Sequence, residues 1–420
     1  MKVIKLLLSC LLLPCIVLGQ EAEQEPIDSI RQMEATIVNA KTREPLGFAT
    51  IYVNPYLSTI ANEVGGFSLS VHIADTLHIS YVGFKPIHIP VAQVDSIIPM
   101  EPGGRVLAEV VVYSPDAIIG RALSRLRKEH RFHSKHRADF FFRQLQRTNH
   151  RCSSLQEAFL SARSAFSVKD MTLITGRYLA HHERLNNPMN AYRLTQPEVY
   201  SKDKKNAQMA PISKWHRAYY NSTSTTITDG EREFYVVHFS PRDTNAVAVE
   251  ADVYIDARTF QIVRYTGHFR NWFVRYSKKT DDEEQEEPVQ VNTDDALSQL
   301  LYQTAYKRRQ LVRIPMKYTF DLFYQDDQKF LEVKTVNFHT SFRIEDKPSE
   351  VRGSLINVGK FLRGANGEPL GLQGNLRREI KARGYDSKFW KENEIIKRTP
   401  LEEEALDIFE RENLEGEYEE

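Results

Sequence analysis

Met316-Lys317-Tyr318-Thr319-Phe320-Asp321-Leu322-Phe323-Tyr324 is the most regular stretch of the chain. Met316, Tyr318, Phe320, Leu322 and Tyr324 occupy every second position, so an extended backbone puts them on one face. Gln325-Asp326-Asp327-Gln328 then offers a polar turn into a second run, Lys329 to Arg343. Upstream, Phe234 to Phe239, Ala248 to Asp256 and Gln261 to Arg270 alternate in the same way. Asp256-Ala257-Arg258-Thr259 supplies a hairpin turn between the last two. Runs of this kind joined by short turns predict antiparallel pairing. Residues 114–345 are therefore expected to form a larger antiparallel β-sheet domain with flanking helices. Such a sheet can wrap into a half-barrel around an apolar cavity, or pack as an ordinary sheet on its helices. The plain packed sheet is the expectation, with Met316, Tyr318, Phe320, Leu322 and Tyr324 as the cavity wall in the alternative.

Local signals place the helices. Ser114 is a suitable N-cap and Pro115 suits the first helical position. Ile118, Ile119, Ala122, Leu123 and Leu126 then repeat at helical spacing as far as about Lys128. Ser154-x-x-Glu157 reads as a capping box before a short helix through Ala165. Lys278 to Glu287 reads as an acidic loop without structure of its own. Residues 346–420 are expected to be a helical, acidic tail. Asp386 would cap a segment through Phe389-Trp390, and Thr399-Pro400-Leu401-Glu402 combines N-cap, N1 proline and N3 glutamate. Leu401, Ala405, Ile408 and Phe409 give the last helix an apolar stripe. From Glu402 onward ten acids face one base, Arg411.

The first part of the chain is a series of short strands between turns. Ile37-Val38-Asn39, Glu44-Pro45-Leu46-Gly47-Phe48-Ala49-Thr50-Ile51, Asn62-Glu63-Val64-Gly65-Gly66-Phe67-Ser68-Leu69 and Leu77-His78-Ile79-Ser80-Tyr81-Val82-Gly83-Phe84 follow in order. Phe67, Leu69, Ile79 and Tyr81 alternate toward a core, and Gly66 and Gly83 suit turns that need positive φ. These blocks, over residues 34–113, resemble the carboxypeptidase-regulatory-like domain found at the start of envelope proteins of Bacteroidetes-type bacteria. Leu107-Ala108-Glu109-Val110-Val111-Val112 looks like the segment that follows this domain in such proteins. Val64-Gly65 departs from the Asp-Gly-like turn common in the family, which weakens any metal in that loop. The resemblance implies a seven-stranded antiparallel β-sandwich of transthyretin (prealbumin) type that is not itself a peptidase. Val253-Tyr254-Ile255-Asp256 with Thr259-Phe260-Gln261-Ile262 is, over those eight residues, similar to strand pairs of periplasmic lipoprotein-carrier-like folds. The fold class expected for the whole chain is mainly β with helices, α+β.

The N-terminus carries a basic start at Lys2 and Lys5, an apolar run from Leu6 to Leu18, and small residues at Val17 and Gly19. That order reads as a signal peptide over 1–19, cleaved before Gln20, with 20–33 as linker. Lipidation at Cys10 is disfavoured because about four apolar residues precede it and the run continues beyond. No later stretch reaches the ~20 apolar residues of a membrane helix. The destination is the periplasm or the outer-membrane-associated envelope. Formal net charge is zero, becoming −2 on loss of the two lysines, so nothing general argues for nucleic acid. Two of the three cysteines lie in the signal peptide. Cys152 is left without an internal disulfide partner and reads as a buried small residue.

From Arg121 to Arg151 ten Lys and Arg stand against Glu129 and Asp139. A solvated face is the ordinary reading of such a run. The sharper one is an anion site for phosphate, lipopolysaccharide or acidic glycan, built from Arg121, Arg125, Arg127, Lys128, Arg131, Lys135 and Arg137. His133 and His136 lack the companions of a metal site. His-Glu-x-x-His, Gly-x-Ser-x-Gly and phosphate-loop patterns are all missing, so neither catalysis nor a cofactor is expected. The leading expectation is an envelope binding or scaffold protein whose sandwich docks an envelope protein, glycan or lipid. The alternative is a periplasmic carrier of a lipid or other apolar ligand.

Overall fold

A computed structural model describes residues 30–54, 57–103, 113–133, 137–164, 168–180, 210–213, 217–229, 232–278, 310–326, 331–344, 347–359, 370–371, 376–383, 389–390 and 396–411. The protein is mainly β. Its first strands are β1 (Ile30–Asn39), β2 (Thr50–Asn54), β3 (Leu57–Ile60), β4 (Gly66–His72), β5 (Thr76–Ser80), β6 (Ile87–Pro90) and β7 (Ile97–Met100). They form two sheets, ordered β4-β1-β7 and β3-β2-β5-β6. Ile37, Phe67 and Ile98 from one sheet meet Ile51, Leu77 and Ile79 from the other in a single core.

Three details differ from the sequence expectation. β1 starts at Ile30, inside the expected linker, because it pairs with β4 from Ile30↔His72 onward. β1 and β7 run parallel, so the sandwich is not wholly antiparallel. Positive φ before Phe67 belongs to Gly65 (φ +76°) rather than Gly66, whereas Gly83 (φ +89°) is as expected. Asn62 sets that turn: its Oδ1 accepts from the Val64 amide at 3.1 Å and the Gly66 amide at 2.8 Å. A Cβ on Gly65 would stand 2.4 Å from the Ile37 carbonyl oxygen. The segment Leu107 to Val112 lies outside the described residues.

Helix α1 (Pro115–His133) follows, then β8 (Arg137–Thr148), β9 (Arg151–Ser164), β10 (Val168–Ala180), β11 (Tyr220–Asp229), β12 (Arg232–Pro241), β13 (Ala248–Asp256) and β14 (Ile262–Arg270). The remaining elements are β15 (Phe273–Lys278), β16 (Gln310–Pro315), β17 (Lys317–Asp326), β18 (Leu331–Ile344), β19 (Lys347–Gly359), β20 (Leu370–Gly371), α2 (Leu376–Arg383) and α3 (Pro400–Arg411). Eleven strands make one antiparallel sheet in the order β11-β12-β13-β14-β17-β18-β19-β8-β9-β10-β20, and β15 pairs with β16 in a separate ribbon. The large sheet is open, with β11 and β20 at its edges among the described residues.

The expected local signals operate where they stand alone. The Ser114 hydroxyl accepts from the Ala117 amide at 3.3 Å at the start of α1. Asp256 Oδ1 accepts from the Thr259 amide at 2.7 Å in the β13–β14 hairpin. Thr399 and Glu402 form the reciprocal capping box: the Thr399 amide donates to Glu402 Oε2 at 2.8 Å and the Glu402 amide to Thr399 Oγ1 at 3.2 Å.

Two expectations are corrected. Ser154 to Ser164 is strand, not helix. β9 is laddered between β8 and β10 and both of its faces are buried, a site only a strand can fill; Glu157 binds arginines rather than a helix terminus. Residues 347–359, expected in the helical tail, form β19 between β18 and β8. Gly353 interrupts the apolar alternation there because the Phe338 ring lies against it: a Cβ would be 2.6 Å from Phe338 Cζ. The helical tail is thus confined, among the described residues, to α2, Phe389–Trp390 and α3.

Helix α1 lies against β11 and β12, and α2 against β10. One core runs from Ile118 and Leu123 of α1 through the sheet to Leu376 and Ile380 of α2. The opposite face of β8–β10 is covered by the C-terminal segment: Trp390 and Ile396 pack on Phe141 and Phe159, and Ala405 on Leu145, Cys152 and Leu155. Cys152 is buried and unbridged, as its isolation implied. Between these clusters Arg143 Nε and Arg177 Nε each donate to Glu157 at 2.6 Å. Burial alone would raise the Glu157 carboxyl, but Arg143 and Arg177 overcome it and hold the group at about 2. Farther along the same face sits the sandwich, with Arg264 over the Tyr81 ring at 5.5 Å and Arg352 pairing with Glu63 at 3.4 Å.

Candidate functional site

The alternating stripe of β17 does share one side. Met316, Tyr318, Phe320, Leu322 and Tyr324 are all buried on the helix-bearing face. Tyr265 and Phe269 of β14 and Phe338 and Phe342 of β18 flank them through the ladder. The rings touch: Tyr265 and Phe320 centroids are 5.0 Å apart, and Phe269 and Tyr318 4.9 Å. The middle of this face is a packed aromatic layer. Burial pushes the Tyr265, Tyr318 and Tyr324 phenols upward, so they are neutral at any physiological pH. The Tyr265 hydroxyl is buried without a hydrogen-bond partner.

At the Met316 end the layer opens. Trp272, Pro315, Met316 and Phe342 form the apolar part of a cavity of about 620 Å³. Its position follows from the chain: Asn271, at φ +53°, turns β14 into β15, and its Nδ2 donates to the Thr244 and Ala246 carbonyls at 2.9 and 3.1 Å. The Met316 amide donates to the Trp272 carbonyl at 2.9 Å, tying the returning ribbon to the start of β17. Arg147, Lys317, Arg343 and Arg352 line the same cavity with the carboxylate of Glu350. Arg147 pairs with Glu350 at 2.9 Å and Arg352 at 3.4 Å; despite burial, these arginines draw the Glu350 carboxyl below its usual range. The lining thus holds four cationic side chains beside the Glu350 carboxylate, with Arg352 shared with Glu63 at 3.4 Å. An apolar floor beside a cationic rim accommodates a molecule with one greasy and one anionic end.

The basic residues proposed for an anion site do not form one cluster. Arg121, Arg125 and Lys128 line a cavity of about 680 Å³ between α1 and the β13–β14 hairpin. Two of them are engaged there: Arg121 lies 3.9 Å from the Tyr113 ring centroid, and Arg125 Nη1 donates to the Thr259 carbonyl at 2.9 Å. Arg127 is exposed outside that cavity. Arg137 is separate, on β8, donating to the Ser161 and Asp170 carbonyls at 2.8 and 3.2 Å. The Arg131 side chain and Lys135 lie outside the described residues, as do the His133 side chain and His136. Sequence reasoning missed Arg147, Arg343 and Arg352 as companions, because they meet only when β8, β18 and β19 are in register. Among the described residues no group of three or more His, Cys, Asp or Glu is placed to hold a metal. No described helix is long and apolar enough to cross a membrane.

No protein-family model matches the chain, and no curated protein matches it significantly. Among solved structures, a LolA superfamily protein from Nitrosomonas europaea aligns at 8% identity over 60% of this chain and 96% of its own, with a TM-score of 0.21. MucB aligns at 11% identity over 57% and 92%, with a TM-score of 0.18. The MucA/MucB complex of Pseudomonas aeruginosa aligns at 9% over 57% and 94%, with a TM-score of 0.16. Likeness at these scores carries no weight for the fold or ligand of this chain, which rest on its own geometry.

Proposed function

We propose that this chain is a non-catalytic binding protein of the cell envelope that holds an amphiphile with an apolar chain and an anionic end. One observation carries the reading: the 620 Å³ cavity at the end of the aromatic layer, where Trp272, Pro315, Met316 and Phe342 face a rim of Arg147, Lys317, Arg343 and Arg352. Its volume is that of a small-molecule site, and its two kinds of lining match the two ends of such a ligand. The packed layer behind it makes the bulk of the sheet a scaffold and its open end the binding site. Export to the periplasm or outer envelope is part of the proposal and rests on the signal-like residues 1–19. For residues 34–113 we propose a carboxypeptidase-regulatory-like domain of transthyretin type, supported by seven strands in sheets of three and four. Its role here is structural, docking on the large sheet through Tyr81 and Glu63.

Calorimetric titration of delipidated protein with laurate and with dodecyltrimethylammonium, both below their micelle concentrations, tests the reading. Laurate should bind saturably and the cation should not. Lys317→Glu with Arg343→Glu, both exposed positions, should weaken laurate tenfold or more, on the order of 1.4 kcal/mol. Equal binding of both detergents, or none of laurate, refutes it.

A further inference from the structure

A second cleft lies on the other face of the large sheet, where the sandwich meets it. It has a volume of about 460 Å³ and is lined by Phe48 and Glu63 of the sandwich and by residues of β13, β14, β17 and β18, most of them polar. Asn337 is the informative residue. It is 8% exposed, and both its Oδ1 and its Nδ2 lack a hydrogen-bond partner. A buried carboxamide with donor and acceptor both unmet is costly to keep in a folded chain. Asn337 stands opposite Asp321 in the β17–β18 register, and both line the cleft.

Three of the four carboxylates lining the cleft already hold a guanidinium: Asp321 is held by Arg264 at 2.8 and 2.5 Å, Glu250 by Arg270 at 2.5 Å and Glu63 by Arg352 at 3.4 Å. Asp252 contacts His238 at 2.8 Å. What remains is acceptor capacity. The Thr266 and Thr319 hydroxyls donate to the Phe320 and His339 carbonyls, leaving their lone pairs for a ligand, as the carboxylates also do. Phe48 closes the sandwich side in a left-handed backbone conformation, φ +67°, which a bulky residue adopts only at a cost in strain. Many acceptors, one paired donor–acceptor carboxamide and an aromatic wall match a neutral molecule rich in hydroxyl groups with an apolar ring face.

We propose that this cleft is a binding site for a neutral carbohydrate unit, with Asn337 spanning adjacent hydroxyls and Phe48 against the sugar ring. The cleft shares no lining residue with the amphiphile cavity, although its Glu63 pairs with Arg352 of that cavity's rim at 3.4 Å. Saturation-transfer NMR of the full chain tests it, using glucose, galactose, mannose, N-acetylglucosamine and their β-linked disaccharides at about 10 mM, where millimolar sites are occupied. Putrescine serves as a cationic control and laurate as a competitor. At least one sugar should give saturable transfer that laurate leaves unchanged. Asn337→Leu should lower that affinity about tenfold or more while the melting temperature holds or rises, because two unmet polar atoms are removed. Phe48→Gly, which relieves the positive φ, should also weaken the sugar and keeps the test readable if Asn337→Leu folds poorly. Binding of putrescine without any sugar, no sugar binding at all, or sugar binding unchanged in both variants overturns the proposal.

Discussion

Replacing Glu157 with glutamine should unfasten the C-terminal segment from the large sheet. Glu157 is 1% exposed and accepts from Arg143 and Arg177, both nearly as buried. Arg143 also reaches the Ile396 carbonyl and Glu402 at 3.3 Å, so the carboxylate orients the arginine that grips the segment before α3. Glutamine keeps the shape but removes the buried charge that Arg143 and Arg177 share, leaving Arg143 the more distant Glu402 at 3.3 Å; breaking a buried pair in this way costs about 3–5 kcal/mol. The acid profile gives an independent reading. A carboxyl at about 2 in the fold and near the ordinary 4.5 unfolded contributes about 3 kcal/mol at neutral pH. The folded value is depressed, so this contribution is complete above pH 4.5 and is lost as pH falls toward 2. Urea midpoints at pH 7, 5, 4 and 3 should show wild type losing that stability in the acid window. Glu157→Gln should start lower and lack that component of the loss. A variant within about 1 kcal/mol of wild type at pH 7, or one with the same acid profile, refutes the reasoning.

Phe320→Ala should cost about 3–5 kcal/mol in urea unfolding, because Tyr265, Phe269 and Tyr318 pack on its ring; saturating laurate should not restore the loss. Gly353→Ala should destabilise by about 1–3 kcal/mol through overpacking, its Cβ meeting Phe338 Cζ at 2.6 Å, and Phe338→Leu in the same chain should recover part of it. Thr399→Ala should lose about 1 kcal/mol by removing the α3 cap, with earlier proteolysis of the C-terminal segment as the readout.

Much of the fold was written in short-range chemistry. The period of two in Met316 to Tyr324, the Asp256 turn, the Ser114–Pro115 start and the Thr399–Glu402 box each act within a few residues. Hence each could be placed before any contact was known. The alternation of Phe67, Leu69 and Ile79 in the sandwich was legible for the same reason, and the unbridged Cys152 followed from its isolation in the sequence. The candidate sites were legible only in part. The stripe of β17 was found, but the cationic rim beside it was not, since Arg147, Arg343 and Arg352 are scattered over some two hundred residues.

Sequence alone thus determined which segments alternate, where the chain turns, and where a helix can start. Tertiary structure alone decided that β9 is a strand despite its capping-box spacing, and that β19 leaves the expected tail to sit between β18 and β8. The physical reason is that a strand is completed by its neighbours. The ladder partners of β19 lie on β8, with Ser349 opposite Thr148, and no local pattern encodes a partner that distant. The same holds for charge. Glu157 reads as a helix-capping acid from its own neighbourhood, and becomes the counter-ion of two arginines only when three strands and the C-terminal segment close around it.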